Sequence, residues 1–483
     1  MSAKAGRDTK RAVLLLVAAS VVLRVSVLLH PTLGVLDSDE AVTGLMALGV
    51  FEGDLPIFYW GQAYGGTLEV LLVAGLFALF SASALVLKAA PLLLAMVATL
   101  LLWRIGRRIL GPQQGALAAA VFLAWPGFFV WMSTKERGFY WAALVLALST
   151  LLLALRLQER QRWWEAAALG LTAGAGWWTT PQTALLLLPA TAWLLWRSPR
   201  LLRTAPFSLL GFLLGAAPWL LYNHRHSWPS RWQPIQAEDG WLVAHFWGFF
   251  WRALPRAYGA TTAFSGELLV PVALVGIGLF ALAAWQRRPG LAVAVAVAYP
   301  FLFALIPPGW TPEPRYLFFL HPAIALLVAG GLAKLPCKAI VTFVGSIVLA
   351  SGMSLAALAG TVAVETRAPD IAAPTNLEPI TTALLANNAD RVFADYWIAY
   401  RLVFESGEKI VATPLGGALR NDVYERRVQS SNSPAYVFVK GSSFVPFFGP
   451  RLSELGVEYR RVDAGGYVAY LPESRVLPKD IWP

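Results

Sequence analysis

The chain has 483 residues, 57% of them hydrophobic and only 14% charged, where an ordinary soluble domain is about a quarter charged. With a mean hydropathy of +0.57 and long apolar runs recurring almost to residue 361, it reads as a polytopic α-helical membrane protein and not as a soluble one. The formal charge of +11 is not a nucleic-acid signal: residues 362–483 hold 13 basic and 14 acidic residues, while the apolar part before them holds 26 and 14.

The first apolar run, 12–29, follows Lys4, Arg7, Lys10 and Arg11. No small-residue cleavage site comes after it, so it is expected to remain as a signal-anchor helix. Next stands Asp37-Ser38-Asp39-Glu40, three carboxylates in four residues where a membrane helix should end. Residues 41–52 carry Val42, Leu45, Leu48 and Phe51 at helical spacing, which predicts a helix lying on the membrane. The stretch Phe58-Tyr-Trp-Gly-Gln-Ala-Tyr-Gly-Gly-Thr-Leu-Glu69 is rich in aromatics and glycine. Further apolar runs cover 67–80, 84–103, 114–132, 140–157, 163–178, 182–196, 205–222, 268–285, 290–307, 316–333 and 338–361.

If every run crossed, with the N-terminus inside, the arginine clusters at 104–108, 156–162, 197–203 and 287–288 would lie outside, against the positive-inside rule. Placing 67–80 in the outer interface moves all of them to the cytoplasm. That run is short for a crossing, which needs about 20 residues. The expectation is therefore about eleven spans, N-terminus cytoplasmic and C-terminus external. Most acids of the membrane part then face outward: Asp37, Asp39, Glu40, Glu52, Asp54, Glu69, Glu136, Glu238, Asp239, Glu267 and Glu313. Such enrichment exceeds what the charge rule needs and points to an external polar site.

After Thr361 the composition changes. Pro369, Pro374 and Pro379 mark a linker, and β-rich runs follow at Arg391-Val-Phe-Ala, Lys409-Ile-Val-Ala, Tyr436-Val-Phe-Val and Tyr467-Val-Ala-Tyr. Helical stretches are expected near 377–388 and 394–405. The chain thus divides into a transmembrane domain, 1–361, and a small external α/β domain, 362–483. That domain either caps the cleft, recognises an acceptor, or only stabilises the fold. The single cysteine, Cys337, gives no disulfide pair and no thiolate metal cluster.

The acid cluster has two readings. Asp37, Ser38 or Asp39 can cap the helix that follows, where unpaired N–H groups and the helix dipole favour an anion. Three acids exceed what one cap needs, and close carboxylates raise one another's pKa. They suit a general base with a second acid, or a divalent cation. On the same face lie Lys88, Lys135, Arg137 and Arg315, either snorkelling or binding a phosphate at headgroup depth. His224 and His226 give only a weak metal signal.

Asp39-Glu40 after the first span, the aromatic-glycine stretch 58–69, Glu313-Pro-Arg315-Tyr316 before a late span, and Asp395-Tyr396-Trp397-Ile-Ala-Tyr400 resemble the GT-C superfamily of polytopic glycosyltransferases. The likeness is to the family 39 type: protein O-mannosyltransferases and the lipid A aminoarabinose transferase. The resemblance implies a sugar donor on a polyprenyl phosphate, an acceptor hydroxyl on protein, lipid or glycan, and inverting transfer at the outer face of the plasma or inner membrane, with no nucleic-acid partner. It implies Asp39 as general base, Glu40 in support, and Glu136 as a further acid. It implies donor-phosphate binding by Lys88 and Arg315, with Lys135 and Arg137 beside them. Asp37, Tyr59, Gln62, Tyr64, Glu69 and Tyr316 are assigned to the substrate cleft. No cofactor is expected; some members need a divalent cation and others do not. A flippase of lipid-linked sugars is the alternative, but it calls for ionisable groups through the spans, and Arg24 is the one charge deep in the first run. A non-catalytic sugar-lipid binding protein of the same fold is a third reading.

Overall fold

The computed structural model describes residues 3–230, 241–258, 290–305, 314–332, 337–365, 376–416 and 419–482. The run 268–285, the acids Glu238, Asp239, Glu267 and Glu313, and Pro369 and Pro374 lie outside these residues. Every apolar run inside them is largely helical. Among the described residues, four helices are long and apolar enough to cross a bilayer: Thr9–Leu29, Ala84–Leu110, Tyr140–Glu159 and Thr342–Gly360. Pro199–Gly215 and Ala217–Arg225 would make a fifth span with a 57° bend.

The remaining runs are shorter or broken. The run 114–132 divides into Pro112–Ala124 and Gly127–Met132. Pro126 lies at the break, where proline lacks the N–H that would continue the helix. Leu68–Phe80 has 13 residues, about 20 Å of helix, against about 30 Å of hydrocarbon. Helices Trp163–Thr179 and Ala205–Gly215 meet backbone to backbone. A Cβ on Gly170 would stand 1.9 Å from the Ser208 carbonyl oxygen, and one on Gly211 2.1 Å from that of Ala167. Small residues are what allow membrane helices this approach. Arg24 does not face lipid alone: its Nε donates to Ser133 Oγ at 2.9 Å and its Nη1 to the carbonyls of Leu123 at 2.9 Å and Ser20 at 3.1 Å.

The helix expected at 41–52 forms as Ser38–Phe51, but it is no half-exposed surface helix. Ala41 to Ala47 are all buried. One side rests on Leu68–Phe80 and another lies under Tyr396–Glu405. The Phe404 ring is seated on Gly44, where a Cβ would come within 2.5 Å of it. Of the residues that set the apolar spacing, Val42 and Leu45 are covered by protein, while Leu48 is half-buried and Phe51 is exposed. Between the two short helices, the aromatic-glycine stretch makes an antiparallel hairpin, β1 (Phe58–Tyr59) and β2 (Gln62–Gly66), with Tyr59 opposite Gln62.

Residues 376–482 carry a five-stranded mixed sheet built from β3 (Arg391–Ala394), β4 (Val411–Pro414), β5 (Ala435–Val439), β6 (Tyr459–Ala464) and β7 (Tyr467–Pro472), in the order β4-β3-β5-β7-β6. β3 runs parallel to β4 and β5; β7 runs antiparallel to β5 and β6. The expected helices appear as Glu378–Ala386 and Tyr396–Glu405. The four β-rich runs fall on β3, β4, β5 and β7. β6 was not expected, because this edge strand reads Tyr-Arg-Arg-Val-Asp-Ala and none of its residues is buried.

Candidate active site

The acid cluster folds as a capping box. Asp37 is the N-cap of helix Ser38–Phe51: its Oδ1 accepts from the Glu40 N–H at 3.0 Å, and its own N–H donates to Glu40 Oε2 at 3.2 Å. Two backbone donors at the helix start are thereby satisfied. The box also fixes direction. Glu40 points inward, fully buried, while Asp39 leaves the helix on its partly open side.

Glu40 then meets two ammonium groups, Lys88 Nζ at 2.6 Å from Oε1 and Lys135 Nζ at 2.7 Å from Oε2. Lys135 also lies 3.3 Å from Asp37 Oδ2. Arg137 bridges the remaining pair, with Nη2 3.1 Å from Asp37 Oδ2 and Nη1 2.9 Å from Asp39 Oδ2. Burial alone would raise the Asp37 carboxyl. Arg137 and Lys135 outweigh it and hold the group well below the usual carboxylate range. Lys88, Lys135 and Arg137, expected to bind a donor phosphate, therefore direct their charge at Glu40, Asp37 and Asp39.

The loop 133–139 delivers three successive charged side chains to two places. Lys135 and Arg137 reach the capping box; Glu136, between them, turns the other way. Gly138 makes this possible: it has φ +81°, and a Cβ there would strike the Tyr59 ring. Glu136 Oε1 accepts from the Gly138 N–H at 2.7 Å, and Glu69 Oε1 accepts from the Ala142 N–H at 2.7 Å. Their other oxygens are buried without a hydrogen-bond partner, and burial raises both carboxyls. Burial, and next the neighbouring Glu69, push the Glu136 carboxyl well up. Glu69 and Glu136 thus form a buried acid pair that does not open on the cleft.

Asp39 receives its other neighbours from the far end of the chain. The Tyr396 hydroxyl donates to Asp39 Oδ1. Arg420 Nη2 lies 3.9 Å from the same oxygen, and its Nε donates to the Tyr396 hydroxyl at 3.3 Å. Gln62, its amide oxygen turned to the guanidinium, accepts from both Arg420 Nη groups at 2.7 and 3.0 Å. The Tyr59 hydroxyl donates to the Asp39 carbonyl at 2.7 Å. An aromatic floor leads away from Asp39: Tyr59 and Tyr64 both meet the Phe139 ring edge-on, and Phe139 stacks on Tyr140. Tyr64 and Tyr140 both feel the charge of Arg315, and Tyr64 also that of Arg420 and Asp39. Arg315 lies over the Tyr316 ring, 5.5 Å from its centre.

Asp37, Asp39, Glu40, Lys88, Lys135, Arg137, Tyr59 and Gln62 are therefore brought together. Tyr64 leads from them towards Arg315 and Tyr316, and Glu69 and Glu136 pair beneath. Tyr396 and Arg420 were missed as site residues. The Asp395-Tyr396-Trp397 stretch had marked the second domain without indicating a role, and Arg420 carries no local pattern. Among the described residues, no group of three or more His, Cys, Asp or Glu side chains is disposed to hold a metal ion. His226 stacks on Tyr222, with its Nδ1 2.8 Å from that residue's carbonyl oxygen.

The apolar helical region thus has short helices after its first long one, an acidic capping box at their start, and an α/β sheet after the last long helix. Residues 68–222 match the family model described as dolichyl-phosphate-mannose-protein mannosyltransferase. The fold is similar to that of ArnT from Cupriavidus metallidurans bound to undecaprenyl phosphate, at 15% identity and a TM-score of 0.61, over 95% of this chain and 97% of that one. It is also similar to the archaeal oligosaccharyltransferase AglB from Archaeoglobus fulgidus in complex with an inhibitory peptide and a dolichol-phosphate, at 14% identity and a TM-score of 0.50, over 88% of this chain and 69% of that one. A comparison with curated proteins returns no match. The resemblance to the GT-C superfamily is borne out.

Proposed function

We propose that the chain transfers a sugar from a polyprenyl-phosphate-linked donor to an acceptor hydroxyl, with inversion, at the outer face of the cell membrane. The N-terminus is cytoplasmic in this reading and the α/β domain external. The observation that carries it is the placement of Asp39. Its side chain keeps 24% of its surface, against none for Glu40, and its neighbours hold it in a fixed direction. Asp37, the other partly open acid, is committed as the helix cap.

Asp39 takes the proton of the acceptor hydroxyl as that oxygen attacks the anomeric carbon. The bond from that carbon to the lipid phosphate breaks on the opposite side, and polyprenyl phosphate leaves with the electron pair. Arg315, reached from Asp39 past Tyr64, offsets the charge that develops on the phosphate. Glu40, Lys88 and Lys135 hold the start of the helix that carries Asp39. Glu136 acts from beneath through its loop and does not touch substrate. No divalent cation is required in this scheme, because Lys88, Lys135 and Arg137 already match the three carboxylates. The undecaprenyl phosphate bound to ArnT and the dolichol-phosphate bound to AglB support a lipid-phosphate donor.

The test uses right-side-out membrane vesicles given a panel of radiolabelled undecaprenyl-phosphate hexoses and pentoses. Asp39→Asn should lower transfer by about 100- to 10,000-fold, the usual weight of a general base. Unchanged transfer would overturn the assignment, and lipid translocation without transfer would favour a flippase.

A further inference from the structure

We propose that Tyr396 and Arg420, both from the C-terminal α/β region, belong to the reaction centre: Tyr396 positions the Asp39 carboxylate, and Arg420 holds Tyr396 in place. The proposal rests on Asp39 being the base.

The two oxygens of Asp39 are gripped from opposite ends of the chain. Arg137, in the membrane part, donates to Oδ2 at 2.9 Å. Tyr396, 357 residues from Asp39, donates to Oδ1. A carboxylate held at one oxygen still swings about its Cα–Cβ bond; held at both, it keeps one direction. Tyr396 is itself fixed. Its backbone carbonyl accepts from Ser38 Oγ at 2.6 Å, next to Asp39 in sequence. Its hydroxyl accepts from Arg420, whose guanidinium centre lies 5.8 Å from the centre of the Tyr396 ring. Arg420 is anchored in turn by its N–H on the Tyr400 hydroxyl at 2.7 Å and by Gln62. Burial, and next the Asp39 charge, push the Tyr396 phenol up, so it keeps its proton and can only donate to the carboxylate.

Among the described residues, the groups that bear on Asp39 include Arg137, Arg420, Tyr59, Tyr64 and Tyr396, with Asp37 and Lys135 behind Arg137. Asp37, Asp39 and Glu40 are matched by Lys88, Lys135 and Arg137. Arg420 is then a fourth cation, on the side of Asp39 away from Arg137. Tyr396 occupies one lone pair of Oδ1, so an acceptor hydroxyl is confined to the lone pairs that remain. The α/β region thereby sets the side from which an acceptor can approach the base.

The experiment compares full-length parent and Tyr396→Phe in detergent. Asp39 is modified with a water-soluble carbodiimide across a pH series, and its labelling is read by peptide mass spectrometry. The carbodiimide reacts with the protonated carboxyl, so the midpoint reports the Asp39 pKa. Losing a charge-assisted donor should move that midpoint up by about one pH unit. Arg420→Gln should move it the same way by less, and Arg420→Lys should restore most of the change. In the vesicle assay, Tyr396→Phe should cut the rate at saturating donor by about tenfold or more through the lost orientation of the base, without changing the half-saturating donor concentration. An unmoved midpoint would overturn the proposal; so would a faster rate, which would mean that the phenol competes with the acceptor. If Asp39→Asn itself keeps full transfer, the base reading fails. If Asp39→Asn is inactive while Tyr396→Phe moves neither midpoint nor rate, this inference alone falls.

Discussion

Replacing Glu40 by glutamine changes one atom type at a position with no solvent contact. The amide keeps the shape of the carboxylate and one acceptor oxygen, but loses the charge that two buried ammonium groups share. Lys88 lies 2.6 Å and Lys135 2.7 Å from the Glu40 oxygens. Removing one partner of a buried pair costs about 3–5 kcal/mol, because the other charge stays buried and uncompensated. Lys135 retains Asp37 at 3.3 Å, so the loss falls mainly on Lys88, and the lower end of that range, about 3 kcal/mol, is expected. For a chain of this size that corresponds to a fall in Tm of roughly 3–6 °C. The measurement is thermal unfolding in detergent, followed by tryptophan fluorescence. Adding Lys88→Met removes the stranded charge, and the double variant should regain at least half of the lost stability. A Glu40→Gln protein melting with its parent, or a double variant less stable than Glu40→Gln alone, would refute the reasoning.

Glu136 supplies a pH test. A carboxyl raised by burial keeps its proton in the folded chain at a pH where the unfolded chain has released it. The contribution of Glu136 should therefore be most favourable below about pH 4, the unfolded value, and be lost as pH rises towards the folded value. Glu136→Gln should make that slope shallower, Glu69 being left with its own burial, and raise stability at pH 8 by about 1.4 kcal/mol or more, with little change at pH 4; parallel melting curves across pH would contradict it. Gly44→Ala would place a methyl 2.5 Å from the Phe404 ring. Overpacking of this kind costs about 1–3 kcal/mol, and because Phe404 and Tyr396 share one helix, transfer should fall as well. Phe404→Leu should recover both melting temperature and transfer, and no recovery would mean that the contact is not the cause.

The membrane helices were legible because hydrophobic runs announce themselves in sequence, whatever they pack against. What covers a helix is not written in its own spacing. The alternation in 41–52 is the same whether lipid or Phe404 lies on it, and here it is Phe404. β6 escaped notice for the related reason that an exposed edge strand needs no apolar residues. The division of labour in the acid cluster was half visible. A cap among Asp37, Ser38 and Asp39 follows from local chemistry, whereas Asp39 as the base came from the family resemblance. Lys88 reaches Glu40 from 48 residues away, and Tyr396 and Arg420 reach Asp39 only because the sheet region folds back over the first short helix. Contacts of that range leave no spacing rule to read.

Arg24 bears on how the chain is assembled. Two of its three partners, Leu123 and Ser133, are made 99 and 109 residues later. When the first helix enters the bilayer, its guanidinium has only the Ser20 carbonyl and whatever water or headgroups it can reach by snorkelling. An arginine within a span costs about 2.5–3.5 kcal/mol at insertion. That cost is relieved only when the segment from Pro112 to Ser133 arrives beside it. The final surroundings of Arg24 are thus complete only once residues 123–133 have been made.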